Sequence, residues 1–232
     1  MLLMQNATWP EIDEYLKTSS RPTTLIPLSP VEEHGPHLPI STDFLITEAV
    51  TKIAAEQYDD CVIFPTIPLM CCGISEPTTG TYPITGETIR SIALDLVIAC
   101  HKKGFTRILF LSCHGGFSKE RILEAIDISK STGIDIIADI LCFPDVFRPE
   151  PGLVETRYDL HAGEIETTVM MIIHPELVRY QPPADFHEFV EGRPTKLSRS
   201  GICGNPRKAT AEKGRRIIEI AVEGIIDWLK NR

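Results

Sequence analysis

The 232-residue chain has no run of about 18 consecutive apolar residues, the length that a membrane-spanning helix needs, so no such helix is expected. It also lacks a basic surplus: 23 Lys and Arg stand against 32 Asp and Glu, a formal net charge of −9. Nucleic-acid phosphates and anionic membrane surfaces both call for a basic face, so neither partner fits this balance. The seven cysteines contain no C-x-x-C pair, which removes zinc-ribbon and thioredoxin-like motifs. Their number is odd, and Cys61, Cys100, Cys113 and Cys142 lie in apolar runs, so they read as buried thiols of a cytoplasmic protein. Met1 to Asn6 lacks a basic region, and Trp9-Pro10 arrives before any apolar core could form. No signal peptide is expected, and the Asn6-Ala7-Thr8 sequon is idle. No internal repeat is visible, and only two tryptophans occur.

Hydrophobic residues make up 43% of the chain and charged residues 24%, values of a protein able to bury a core. At about 100–200 residues per domain, one domain over 1–232 is expected. Short β-rich runs alternate with helical ones. Strands are expected at Thr24–Leu28, Cys61–Ile67, Arg107–Ser112 and Ile134–Leu141. Helices are expected at Asp43–Tyr58, Gly86–Lys103, Ser118–Ser131, Ala162–Ile173 and Arg207–Lys230, with Gly104 ending the second. This alternation implies an α/β three-layer sandwich, a mostly parallel central sheet flanked by helices. Sites in such sheets form beyond the carboxyl ends of the strands.

Three polar clusters sit at those places. After the first strand comes Val31-Glu32-Glu33-His34-Gly35-Pro36-His37-Leu38-Pro39, then Thr42-Asp43. Glu32 and His34 are two residues apart, so on an extended segment they share a face, and Asp43 can return to it. The set suits zinc, manganese or iron; it also suits a polar loop with Asp43 capping the next helix. The third strand ends at Ser112-Cys113-His114-Gly115-Gly116, where the glycines permit close approach of backbone or substrate. Asp159-Leu160-His161-Ala162-Gly163-Glu164-Ile165-Glu166-Thr167 opens a strongly apolar helix. The helix dipole accounts for Glu164 and less well for His161 and Glu166.

Taken together, Glu32-x-His34-Gly35-Pro36-His37-Leu38-Pro39-x-x-Thr42-Asp43, His114-Gly115-Gly116 and Asp159-x-His161-Ala162-Gly163-x-x-Glu166-Thr167 resemble the creatininase (creatinine amidohydrolase) family. Ser200-Gly201-x-x-Gly204-Asn205-Pro206-x-x-Ala209-Thr210-Ala211-Glu212-x-Gly214 is similar to that family's ending. The resemblance implies an amidohydrolase with two divalent metal ions (Zn, Mn or Fe), assembled as a homohexamer. It implies Glu32, His34, Asp43 and His114 as metal ligands, Asp43 bridging, with His161 as the catalytic histidine. His37 is expected either to orient a ligand or to serve the structure alone, and Glu33 to face solvent.

The chain also departs from the family. Creatininase carries a Glu ligand at the position of Gly116, so Glu166 is the natural replacement. Many members carry Asn where Phe117 stands, and Phe117 is expected to pack or to line the pocket. The pocket loop around Ser75, residues 73–81, is shortened. Creatininase closes tryptophans over its substrate, whereas Trp9 and Trp228 lie outside the motifs, which argues against creatinine. The expected activity is hydrolysis of a small cyclic or formyl amide. A peptidase trimming a short peptide, as in mycofactocin maturation, is the alternative, and a non-catalytic metal-binding oligomer a third.

Overall fold

Two strands are apolar on both faces, which only a strand covered on both sides can afford. They are central in the chain's element order: β1 (Leu2–Leu3), α1 (Trp9–Thr18), β2 (Thr23–Pro27), α2 (Thr42–Tyr58), β3 (Val62–Ile63), α3 (Gly86–Lys103), β4 (Arg107–Ser112), α4 (Ser118–Ser131), β5 (Ile137–Cys142), α5 (Glu164–Ile173) and α6 (Ala211–Asn231). Every residue of β2 and β4 is buried. The computed structural model describes residues 1–72, 79–115, 118–142, 145, 149–179, 186 and 199–232. Among them no helix is long and apolar enough to cross a membrane.

The five strands form one parallel sheet in the order β1-β3-β2-β4-β5. Side chains alternate across it, as the strand period of two requires. Leu25, Ile63, Leu109 and Leu111 join α2, α5 and α6 in one core. Ile26, Val62, Ile108 and Phe110 join α3 and α4 in the other. The sandwich therefore has three layers, and the expected α/β class holds. The chain runs from β2 outward to β3, then crosses back to β4 on the other side of β2. The carboxyl ends of β2 and β4 thus face a crevice at a topological switch point, the site-forming position of open α/β sheets.

The expected elements are all present, with trimmed ends. The strand expected over Cys61–Ile67 pairs only at Val62–Ile63, with one further bridge from Leu28 to Ile67. Pro65 and Pro68 have no N–H to give the ladder, which limits it. The helix expected from Ala162 starts at Glu164, because Ala162 has φ +52° and the chain is still turning there. The helix expected from Arg207 starts at Ala211, after a short 3-10 turn at Pro206–Lys208 and with Thr210 accepting the Lys213 N–H. The fourth strand starts at Ile137 rather than Ile134. All seven cysteines are free, five of them buried.

Two N-terminal elements, β1 and α1, had no counterpart in the sequence reading. Helix α1 buries no residue fully. Its start is set by Thr8, whose N–H and hydroxyl both donate to the Glu11 carboxylate, at 2.6 and 2.7 Å. Ile12 and Leu16 pack against the core, and one phenol bonds the helix to the sheet. Tyr15 Oη accepts the Thr23 N–H at 2.9 Å and lies 3.2 Å from the Thr23 carbonyl. Burial pushes this phenol up to about 12. A group raised in the folded state contributes stability below its unfolded value, about 10 for Tyr, and loses it as pH climbs through the folded value. Tyr15→Phe should therefore lower stability by about 1–3 kcal/mol at neutral pH, since it orphans a strand N–H. In melts across pH, the gap from the parent chain should close between about pH 10 and 12.

Candidate metal centre

The loop after β2 carries the first donors. It turns at Gly35, φ +65°, where a Cβ would stand 2.8 Å from Ile202 Cγ1, so only glycine fits. The loop closes on itself through Glu32 N–H to Ile40 O at 3.0 Å. That closure returns the chain to α2 with Asp43 in its first turn, 1% exposed. From β4 comes His114, also buried. The third contribution is the segment leading into α5, pinned to the C-terminal loop by paired backbone bonds between His161 and Cys203, at 3.0 and 2.8 Å.

These residues converge in two sets of three. Donor atoms of Glu32, Asp43 and His114 lie within 4.8 Å of one another, and so do those of His34, His161 and Glu166; all six residues are buried. Glu32 and His34 therefore do not act on one point as their spacing suggested; each belongs to a different set. Asp43 joins the sets. Its Oδ1 lies 3.2 Å from His34 Nε2 and its Oδ2 3.0 Å from His114 Nδ1. Glu32 Oε2 is 3.1 Å from the same His114 nitrogen, and Glu166 Oε2 is 3.7 Å from His34 Nε2. The His34 and His161 rings stand 4.4 Å apart.

The imidazole tautomers follow from their partners. A carbonyl oxygen only accepts, so His34 Nδ1, 3.0 Å from Glu32 O, carries a hydrogen and Nε2 faces the carboxylates. By the same rule His161 Nε2 donates to Glu33 O at 2.7 Å, and Nδ1 is the nitrogen left for chemistry.

Burial alone would lower His34, but Asp43 and Glu166 hold it well above the usual imidazole value. His114 rises against its burial to about 10, through Asp43 and Glu32. Asp43, which burial would raise, is held well below the carboxylate range by His34 and His114. The imidazoles thus carry positive charge that the carboxylates demand. Among the described residues, no Lys or Arg pairs with Glu32, Asp43 or Glu166. Glu32 Oε2 and His114 Nε2 are buried without a hydrogen bond. Glu166 also accepts the Ala162 N–H, but three buried carboxylates whose charged partners are imidazoles alone are costly unless a cation joins them. The N and O donor set suits zinc, manganese or iron, so the residues fit the group that the resemblance implies.

Other expected site residues have different places. His37 bonds Thr167 Oγ1 on α5 at 3.0 Å, and burial together with His34 lowers it to about 4. Among the described residues it makes no hydrogen bond to a candidate donor, and it steadies the helix that bears Glu166. Asp159 accepts the N–H groups of Glu164 and Ile165, each at 2.7 Å, and so caps α5 instead of lining a pocket. Gly115 is exposed, and a Cβ there would meet nothing within 4 Å among the described residues. Gly116, Phe117 and Ser75 lie outside the described residues.

Two acidic residues differ from expectation. Glu33 does not face solvent; it is 7% exposed, accepts the Gly35 N–H at 2.9 Å and lies 3.5 Å from His161 Nε2. The tight turn at Gly35 folds it inward beneath Gly201, where a Cβ would collide with its carboxylate. Glu164 is not simply a dipole partner. Fully buried, it accepts Thr156 N–H at 2.8 Å and Thr156 Oγ1 at 2.7 Å, and pairs with Lys213 at 2.6 Å. No local pattern marks either role, because both depend on segments distant in sequence.

Residues 5–229 match the creatininase family, described as creatinine amidohydrolase. The mycofactocin precursor peptide peptidase of Mycolicibacterium smegmatis is 31% identical over 227 residues, covering 90% of this chain and 85% of that protein. The creatinine amidohydrolase of Pseudomonas putida is 25% identical over 248 residues, covering 96% and 94%. A creatininase structure described as the Mn form shares the fold, with a TM-score of 0.82 at 24% identity over 99% of this chain and 97% of that one. A match spanning nearly every residue, motifs included, coincides with a donor constellation at the switch point of the sheet. The chain belongs to the creatininase family of hydrolases.

Proposed function

We propose that this hydrolase cleaves the C–N bond of a small cyclic or formyl amide other than creatinine. The observation that carries the reading is Asp43, one carboxylate oxygen toward each of two buried donor sets. In this reading Glu32, Asp43 and His114 would hold one divalent ion, and His34 and Glu166 would help to hold a second. Bound at these residues, divalent ions would supply Lewis acidity toward the amide carbonyl and lower the pKa of water to about 7. The remaining work falls to the chain. Glu33 O accepts the Nε2–H of His161 and fixes its ring. In the imidazolium form the second proton, on Nδ1, can therefore pass to the departing nitrogen as water adds to the carbonyl carbon and the C–N bond breaks. The Glu33 carboxylate, 3.5 Å from that ring, favours the imidazolium that donates it.

Creatinine is disfavoured because both tryptophans are engaged elsewhere: Trp228 packs under Arg107 at 4.9 Å, and Trp9 is 80% exposed on α1. A second reading, trimming of a short peptide, is favoured by the 31% identity to the mycofactocin precursor peptide peptidase. By family likeness the working unit is a homohexamer; the free, mostly buried cysteines support a cytoplasmic setting, and the length of the chain supports a single domain.

Elemental analysis of the purified protein should find one to two divalent ions per chain, lost in Glu32→Ala and Asp43→Ala; a folded protein that never takes up metal would sink the reading. His161→Ala should keep its metal and lose roughly 10²–10⁴-fold in kcat. If it sheds an ion instead, His161 is a ligand and not the acid. A screen of lactams, formamides and short peptides separates the two substrate readings. Turnover confined to peptides would replace the first with the second.

A further inference from the structure

Beneath the metal centre lies a row of buried hydroxyls that the activity described above does not use. Ser29 follows β2, Thr47 sits on α2 one turn after Asp43, and Ser112 ends β4; all are 0–1% exposed. Thr47 Oγ1 lies 2.7 Å from Ser29 Oγ, which lies 3.4 Å from Ser112 Oγ. Ser112 in turn donates to Met70 Sδ at 3.2 Å.

The sulfur fixes the direction of the row. A thioether has no hydrogen to give, so Ser112 spends its proton there and its oxygen accepts. Ser29 then donates to Ser112, and Thr47 to Ser29. Every hydroxyl donates once, and two oxygens remain able to accept from backbone. They receive the N–H groups of the two residues that leave the sheet after β4: Cys113 donates to Thr47 Oγ1 at 2.8 Å, and His114 to Ser112 Oγ at 3.2 Å. Past Ser112, the last residue of β4 in register with β5, side chains take over what the ladder did within the sheet.

Thr47 and Asp43 are four residues apart on α2 and so share a face. Resting on the metal-centre reading, we propose that the Thr47–Ser29–Ser112 chain positions that centre. It ties α2 to the end of β4 and sets the 3.0 Å approach of Asp43 to His114. These three are positioning residues; they touch neither a donor atom of the centre nor a substrate.

Thr51 provides an internal control. It is equally buried on the same helix, but its hydroxyl bonds only the Thr47 carbonyl of its own helix, at 2.7 Å. Mn²⁺ or Zn²⁺ titrated calorimetrically into metal-stripped full-length protein should bind about 10–100-fold more weakly to Thr47→Val than to the parent. Thr47→Ser should restore the affinity and Thr51→Val should leave it unchanged. Melts of the stripped proteins should show the larger loss for Thr47→Val, which orphans the Cys113 N–H; titrating every variant well below its melt, where it is fully folded, separates position from stability. Where Thr47→Val fails to fold, Ser112→Ala serves in its place, because it removes the acceptor of the His114 N–H. Parental affinity in the hydroxyl variant, or equal weakening in Thr51→Val, overturns the inference while leaving the metal centre intact. A parent chain that binds neither ion overturns both.

Discussion

Three buried carboxylates whose only charged partners, among the described residues, are imidazoles form the constraint around which this fold is arranged. Glu32, Asp43 and Glu166 are each at most 6% exposed, and their ion-pair partners among the described residues are His34 and His114. A carboxylate taken out of water costs several kcal/mol unless its charge is met. In the metal-free chain, protons on the two imidazoles meet it in part. The rise of His34 and His114 against their own burial is the signature of that substitution. Proton and metal compete for the same nitrogens, so an acidic, deeply buried cluster is also a cluster ready for cations.

Holding like charges together takes rigid supports, and the structure draws them from every layer. The sheet supplies the crevice between the ends of β2 and β4. Helix α2 brings Asp43 back from a loop that can turn only because Gly35 adopts φ +65°. The C-terminal loop presses Gly201 onto Glu33 and Gly204 onto Asp159, closer than any side chain would allow. Lys213 of α6 reaches across to Glu164. Each support comes from a different stretch of sequence, so the centre forms only when the whole chain has folded.

This explains which parts were legible beforehand. Buried parallel strands are continuous apolar runs, and Arg107–Ser112 could be read to the residue. Helices with an apolar face and a glycine stop, such as Gly86–Lys103, were equally plain. The three polar motifs stood out because they sit at the boundaries of such elements, two after strands and one at the start of an apolar helix. The division of six residues into two sets was not legible, since Glu32 and His34 have the spacing of one face yet turn to different sets. Nor was the inward turn of Glu33, which needs Gly201, some 168 residues later, to cover it. Strand β1 is two residues long and leaves no period to read. Helix α1 does carry a short one, Ile12, Tyr15 and Leu16 on one face behind the Thr8–Glu11 capping box, but it covers only ten residues and buries none of them fully.

The net charge of −9 looks different once these positions are known. The acidic surplus is not all surface. Glu32, Asp43 and Glu166 face the centre, Glu33 backs the His161 ring and Glu164 clamps a loop, so five carboxylates serve the interior. Three carboxylates around two divalent ions leave a centre of formal charge about +1, because a bound ion's own charge must be counted with its ligands. An overall acidic chain would then present a locally cationic pocket floor. Such a floor draws the carbonyl oxygen of a neutral amide, or the carboxylate of a short peptide, and repels a protonated amine. Charge at the site and charge on the chain thus have opposite signs, and only the first bears on what the enzyme binds.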